Sequence, residues 1–142
     1  MNKDPFDFEY VNVVIEATES TPFINLSKEK GTVVIHGRSI TEDSVKFYWS
    51  LSRWLQEYGL APQKKTTVVL ALEYINSGSS VMISRMISTL STMVGLDSLV
   101  HIEWYFETGD DEMKTQGAYY QEIVRCTISM HEVPDLKTLN FN

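Results

Sequence analysis

The sequence predicts an α/β fold: a single domain with a mixed, mostly parallel sheet, an antiparallel N-terminal edge and about three helices. Three observations carry that expectation. Thr66–Ile75 (TTVVLALEYI) is nearly continuous in β-branched and aliphatic residues, the pattern of a strand covered on both faces. From residue 32 onward, strand-like runs alternate with runs of helical spacing, which implies parallel neighbours joined by right-handed crossovers. Upstream, short β-branched stretches are separated only by turns, and these supply the antiparallel edge.

Residues 1–9 are polar, carry Pro5 and are expected to fray. Tyr10–Ala17 reads as an edge strand, and Ser20-Thr21-Pro22 punctuates it. A short strand at Phe23–Leu26, a turn at Lys28–Gly31 and a strand at Thr32–Gly37 follow. Ser39-Ile40-Thr41-Glu42 matches a capping box, so the first helix is expected to begin near residues 40–42, with Thr41 as an alternative cap. Phe47, Leu51, Trp54 and Tyr58 form its apolar stripe, flanked by Tyr48 and Leu55, and Gly59 stops it. After the central strand, Asn76–Ser80 reads as a polar turn with Asn76 or Ser77 as the cap. The second helix then buries Ile83, Met86, Ile87, Leu90 and Val94 and ends at Gly95. Leu99–Phe106 is the next strand. The carboxylates at 110–112 suit the first turn of a third helix running to about residue 123. Arg125–Glu132 closes the sheet, Pro134 ends it, and residues 135–142 are expected to be flexible.

Composition narrows the function. Nineteen acidic against twelve basic side chains give a net charge of -7, which argues against a broad nucleic-acid or anionic-membrane surface. No apolar run approaches the roughly 20 residues needed to span a bilayer, so no membrane insertion is expected. Cys126 has no second cysteine to pair with, and Met1–Pro5 lacks the apolar core of a signal peptide. A reducing, cytoplasmic location is therefore expected.

Little catalytic chemistry is on offer. His36, His101 and His131 lie far apart in strands without metal-ligand spacing, and read as structural or surface residues. Cys126 reads as a small core residue, and Asp110-Asp111-Glu112 as a solvated helix cap rather than a metal site. There is no phosphate-binding loop ending in Lys-Ser/Thr and no nucleophile elbow. No cofactor, metal or enzymatic activity is expected. If the strands ending at Gly37, Ile75 and Phe106 run parallel, Arg38, Asn76–Ser80 and Glu107–Asp111 line one crevice at the C-terminal edge. The turn then has two readings: a helix cap, or a reversible phosphorylation site at a helix start, where anions are well received.

Several separated blocks resemble the SiaC-type regulatory phosphoproteins of bacteria, small STAS-like domains akin to anti-sigma-factor antagonists. They run from about Thr18 to Met130: Ser20-Thr21-Pro22, Lys30-Gly31, Gly37–Asp43, Phe47-Tyr48, Trp54-Leu55, Leu72–Ser80, Trp104–Glu107 and Asp110–Met113, with Gly117 beyond. In that family the turn usually reads Asn-Thr-Ser-Ser and the threonine is phosphorylated. Ser77 stands at that position here, Gly78 replaces the next serine, and Thr41 stands where proline is common.

The resemblance implies a phosphorylation-switched binding protein. A serine/threonine kinase and a PP2C-type phosphatase would control it. Its unphosphorylated form would bind and activate a diguanylate cyclase, raising cyclic di-GMP and favouring biofilm or aggregation. Ser77 is the expected acceptor, with Ser79 and Ser80 as fallbacks. Glu73, Tyr74, Asn76, Ser77, Gly78, Ser79, Arg38, Trp104, Asp110 and Asp111 make up the expected docking surface. The alternatives are an anti-sigma-factor antagonist in a partner-switching module, and a small enzyme or ligand-binding domain using Arg38, Asn76 and Asp110.

Overall fold

Strand pairing and helix caps account for each element of the computed structural model, which describes residues 12–94 and 98–141. The strands are β1 (Asn12–Ile15), β2 (Phe23–Ser27), β3 (Thr32–Ser39), β4 (Lys65–Ile75), β5 (Leu99–Glu107) and β6 (Thr127–Val133). The helices are α1 (Ser44–Tyr58), α2 (Ser77–Met93) and α3 (Asp111–Ile123), and a 3-10 turn follows at Leu136–Thr138. All six strands join one sheet in the order β1-β2-β3-β4-β5-β6. The pairs β1/β2 and β2/β3 are antiparallel, and β3 through β6 pair in parallel. This is the mixed sheet, with its antiparallel N-terminal edge, that the sequence implies.

The parallel strands advance across the sheet in one direction, so right-handed crossovers bring α1, α2 and α3 to the same face. Strand register aligns the core in rows. Val33, Val68, Ile102 and Ile128 form one row, and Ile35, Leu70, Trp104 and Met130 the next. Leu51, Trp54, Leu55 and Tyr58 of α1 join that core, as do Ile83, Met86, Ile87 and Leu90 of α2. Helix α3 closes on the sheet at Gly117, where a Cβ would lie 2.7 Å from Met130 Sδ and from Trp104 Cδ1. Cys126 is buried, and burial pushes its thiol pKa up.

The opposite face carries the row His36, Ala71, Tyr105 and His131. Here His131 Nε2 bonds the Glu103 carboxylate, and His101 Nε2 pairs with Ser129 Oγ at 3.0 Å while lying 3.0 Å from Glu103 Oε1.

Three expectations are corrected. First, α1 begins at Ser44, not near residue 40: Asp43 is the cap, its carboxylate accepting from the Lys46 N–H at 3.0 Å. Ser39 remains in β3, and the hydroxyls of Ser39 and Thr41 turn inward to other partners, so the capping box does not form. Second, Ser77 to Ser80 are not a turn before α2 but its first turn, with Asn76 as the cap. Third, the tail from Asp135 to Phe141 packs across the face opposite the helices. Leu136 is fully buried, its N–H donates to Glu107 Oε2 at 3.0 Å, and its carbonyl accepts from His36 Nε2 at 2.8 Å. Phe141 meets the rings of His36 and Tyr105 edge-on at 5.2 and 5.3 Å. Residues 1–9, the start of the first strand at Tyr10 and the helix stop at Gly95 lie outside the described residues.

Leu136→Ala is expected to cost about 2–5 kcal/mol, as for a fully buried leucine. Urea denaturation followed by circular dichroism measures it, whereas a merely resting tail would give a change near zero.

Candidate functional site

The C-terminal ends of β4 and β5 feed the starts of α2 and α3, and the side chains there converge. Asn76 is the pivot. Its Oδ1 accepts from the Ser79 N–H at 2.9 Å, capping α2. Its Nδ2 donates to the Thr41 carbonyl at 2.9 Å, and its own N–H donates to the Ser39 carbonyl at 3.0 Å. One residue thereby joins β4, α2 and the β3–α1 connection.

Beneath the first turn of α2 lies a buried cluster of hydroxyls. Ser39 Oγ donates to Ser79 Oγ at 2.8 Å, and Ser79 Oγ pairs with Thr41 Oγ1 at 2.9 Å. Tyr48 OH bonds Ser39, and Ser44 bonds Thr41. Burial pushes the Tyr48 phenol up to about 12, with its bonds to Ser39 and Ser79 partly offsetting that rise, so the ring stays neutral in the folded protein. Gly78 packs directly against α1, since a Cβ there would lie 2.6 Å from Ser44 Oγ and 3.3 Å from Ser44 Cβ.

The four small residues therefore have different fates. Ser79 is fully buried and bonded, so it is withdrawn as a fallback acceptor. Ser80 is half-buried and its Oγ accepts from Gln116 Nε2 of α3 at 2.8 Å. Gly78 is committed to the α1 contact. Of the three serines, Ser77 alone is exposed and makes no side-chain hydrogen bond among the described residues.

Ser77 sits on the lip of an open groove of about 790 Å3 between the starts of α2 and α3. Tyr74, Ile75, Asn76 and Ser80 form one wall, and Met113, Gln116 and Tyr119 the other. Glu73, Asp110, Asp111 and Glu112 also line it, and no lysine or arginine is among its lining residues. Asp110 caps α3 through the Met113 N–H at 3.1 Å, while Asp111 and Glu112 occupy its first turn.

A model of the SiaC family, described as regulatory phosphoproteins, matches residues 15–133. The chain belongs to the SiaC family. No curated protein matches it. This SiaC-family protein shares its fold with solved structures of Pseudomonas aeruginosa SiaC. Apo-SiaC is 17% identical, with a TM-score of 0.76 over 86% of this chain and 99% of that one. A chain from the complex of the diguanylate cyclase SiaD with its activator SiaC is 18% identical, with a TM-score of 0.79 over 85% and 99%.

Measured against the expected docking surface, the SiaC-family fold brings together Glu73, Tyr74, Asn76, Ser77, Asp110 and Asp111. Four expected members fall outside it: Gly78, packed on Ser44 of α1, and Ser79, fully buried beneath the first turn of α2, join Trp104 and Arg38. Trp104 is buried, its Nε1 donating to the Met113 carbonyl at 3.0 Å, so it supports the groove from below and offers no surface. Arg38 is exposed beside a bulge at Gly37/Arg38, opposite Tyr74 in register, and does not line the groove. The crevice of Arg38, Asn76 and Asp110 invoked for a small ligand is therefore not formed as a unit. Glu112, Gln116 and Tyr119 complete the wall, and their spacing of four and three residues along α3 is the signal that places them on one face.

Two outcomes follow from the buried hydroxyls. Ser79→Ala leaves Ser39 and Thr41 short of a buried partner and is expected to destabilise by about 1–3 kcal/mol, whereas Ser77→Ala stays within about 0.5 kcal/mol; chemical denaturation of the two variants separates them. Tyr48 binds its proton more tightly folded than unfolded, so its contribution is complete below its unfolded value near 10 and is lost as pH rises through about 12. Stability measured from pH 9 upward should fall more steeply in the parent than in Tyr48→Phe.

Proposed function

We propose that this protein is a phosphorylation-switched regulator whose unphosphorylated form binds and activates a diguanylate cyclase, with Ser77 as the residue modified. A serine/threonine kinase and a PP2C-type phosphatase set its state in the cytoplasm, and the groove edge from Glu73 to Ser80 and from Asp110 to Tyr119 is where the cyclase docks. The observation that carries this reading is the single free, exposed hydroxyl on the first turn of α2, at the rim of a groove, in a chain of a regulatory phosphoprotein family. The P. aeruginosa SiaC that shares this fold is named as the activator of SiaD, which supports the choice of partner.

The energetics suit a switch that leaves the fold intact. A phosphate adds about -1.5 to -2 charges. The N-terminus of α2 favours that charge by roughly 0.3–1 kcal/mol, and the four groove carboxylates oppose it. The lining residues offer no cation to pair with it, so the group stays presented to a partner instead of being captured internally. Bulk and charge at the rim change what docks there.

The test pairs modification with readout. Incubated with its kinase and ATP, the protein should gain one phosphate, which is lost in Ser77→Ala and kept in Ser80→Ala. The unphosphorylated form should co-purify with the cyclase and raise its rate of cyclic di-GMP synthesis, and the phosphorylated form should do neither. Phosphate persisting in Ser77→Ala, or equal stimulation by both forms, refutes the reading.

A further inference from the structure

We propose that the groove receives a cationic segment of the protein partner, one in which lysine or arginine side chains alternate with apolar ones. This deepens the docking role proposed above and rests on it. Four carboxylates line the groove: Glu73, Asp110, Asp111 and Glu112. Among the described residues no lysine or arginine lines it; Lys137 Nζ lies 3.8 Å from Glu73 Oε1 but is largely exposed, so it neutralises Glu73 only weakly. Tyr74 and Tyr119 are 54% and 57% exposed on its walls, with Ile75 and Met113 between. Exposed tyrosine faces beside carboxylates suit a guanidinium or ammonium group by cation–π contact, with its aliphatic stem laid on the apolar floor. An acidic segment would meet like charge from Glu73 and from Asp110 to Glu112.

A sign follows. A negative charge added at Ser77 attracts such a segment by Coulomb's law, so loss of binding on phosphorylation must come from the bulk of the group at the rim. Charge and bulk are separable by substitution: Ser77→Asp adds charge with few atoms, and Ser77→Gln adds bulk without charge.

The probe is a short fluorescein-labelled peptide of alternating lysine and leucine, with glutamate–leucine and glutamine–leucine peptides as controls. Binding is read by anisotropy at about 0.15 M ionic strength, where long-range attraction is screened beyond about 8 Å. Amide chemical shifts locate the site. The lysine peptide should bind and shift residues of α2 and α3. Neutralising the groove (Glu73→Gln, Asp111→Asn, Glu112→Gln) should weaken it at least about tenfold. Neutralising three distant carboxylates (Glu16, Glu29 and Glu57 to Gln) should change it by less than about twofold. Tyr74→Ala with Tyr119→Ala should also weaken it, Ser77→Asp should hold or strengthen it, and Ser77→Gln should weaken it. Thermal unfolding confirms that each variant is folded. Equal losses from both neutralised sets, shifts away from the groove, preference for the glutamate peptide, or weaker binding in Ser77→Asp overturns the proposal. If the peptide fails while phosphorylation still releases the cyclase, the cationic segment is wrong and the switch stands. If the peptide binds as described but Ser77 takes no phosphate, the reverse holds.

Discussion

Asn76 ties three chain segments with three hydrogen bonds, and the geometry of the whole edge depends on that junction. A parallel strand that passes straight into a helix leaves the first N–H groups of the helix without intrahelical partners. Asn76 satisfies one of these with its side-chain oxygen and spends its amide on the Thr41 carbonyl, so capping α2 also fixes the path from β3 into α1. The hydroxyls of Ser39, Thr41, Ser44, Tyr48 and Ser79 fill the space this junction encloses. Polar groups buried there are tolerable because each has a partner. The result is a rigid first turn in which Ser79 faces in and Ser77 faces out.

That rigidity bears on how a charge at Ser77 would act. Modification commonly orders a loop by pairing a phosphate with arginines. Here the charged lining groups are carboxylates and the backbone is already held, so on the proposed reading the change would be confined to what a second protein meets at the rim. On that reading, the decision would lie in the complex and not in the fold.

Much of this was legible in the residues, for identifiable reasons. The long apolar run of β4 and the alternation around it determine the sheet, because strand and helix periods differ strongly. Asn76 was readable as a cap, and Asp110 to Glu112 as a helix start. The start of α1 was misplaced because Ser39-x-x-Glu42 satisfies a local rule whose hydroxyl is claimed by a tertiary partner, Ser79, forty residues away. Ser79 looked as available as Ser77 for the same reason: a run of small polar residues carries no periodic signal of which one faces in. Trp104 could be placed on a strand but not on a side of it, and register decides that it faces α3. The tail was missed because Leu136, Leu139 and Phe141, scattered among five polar residues, match neither a strand nor a helix period.

The strand order has a consequence for the side of the sheet without helices. A sheet that advances in one direction collects every crossover on one side and leaves the other bare. Residues 135–141 serve as its roof, and they lie beyond the family match, which ends at residue 133. A chain cut at that boundary would keep the groove yet uncover the His36 and Tyr105 rings and lose the ammonium of Lys137 next to Glu73. The end of the family match and the end of the packed segment are therefore different places.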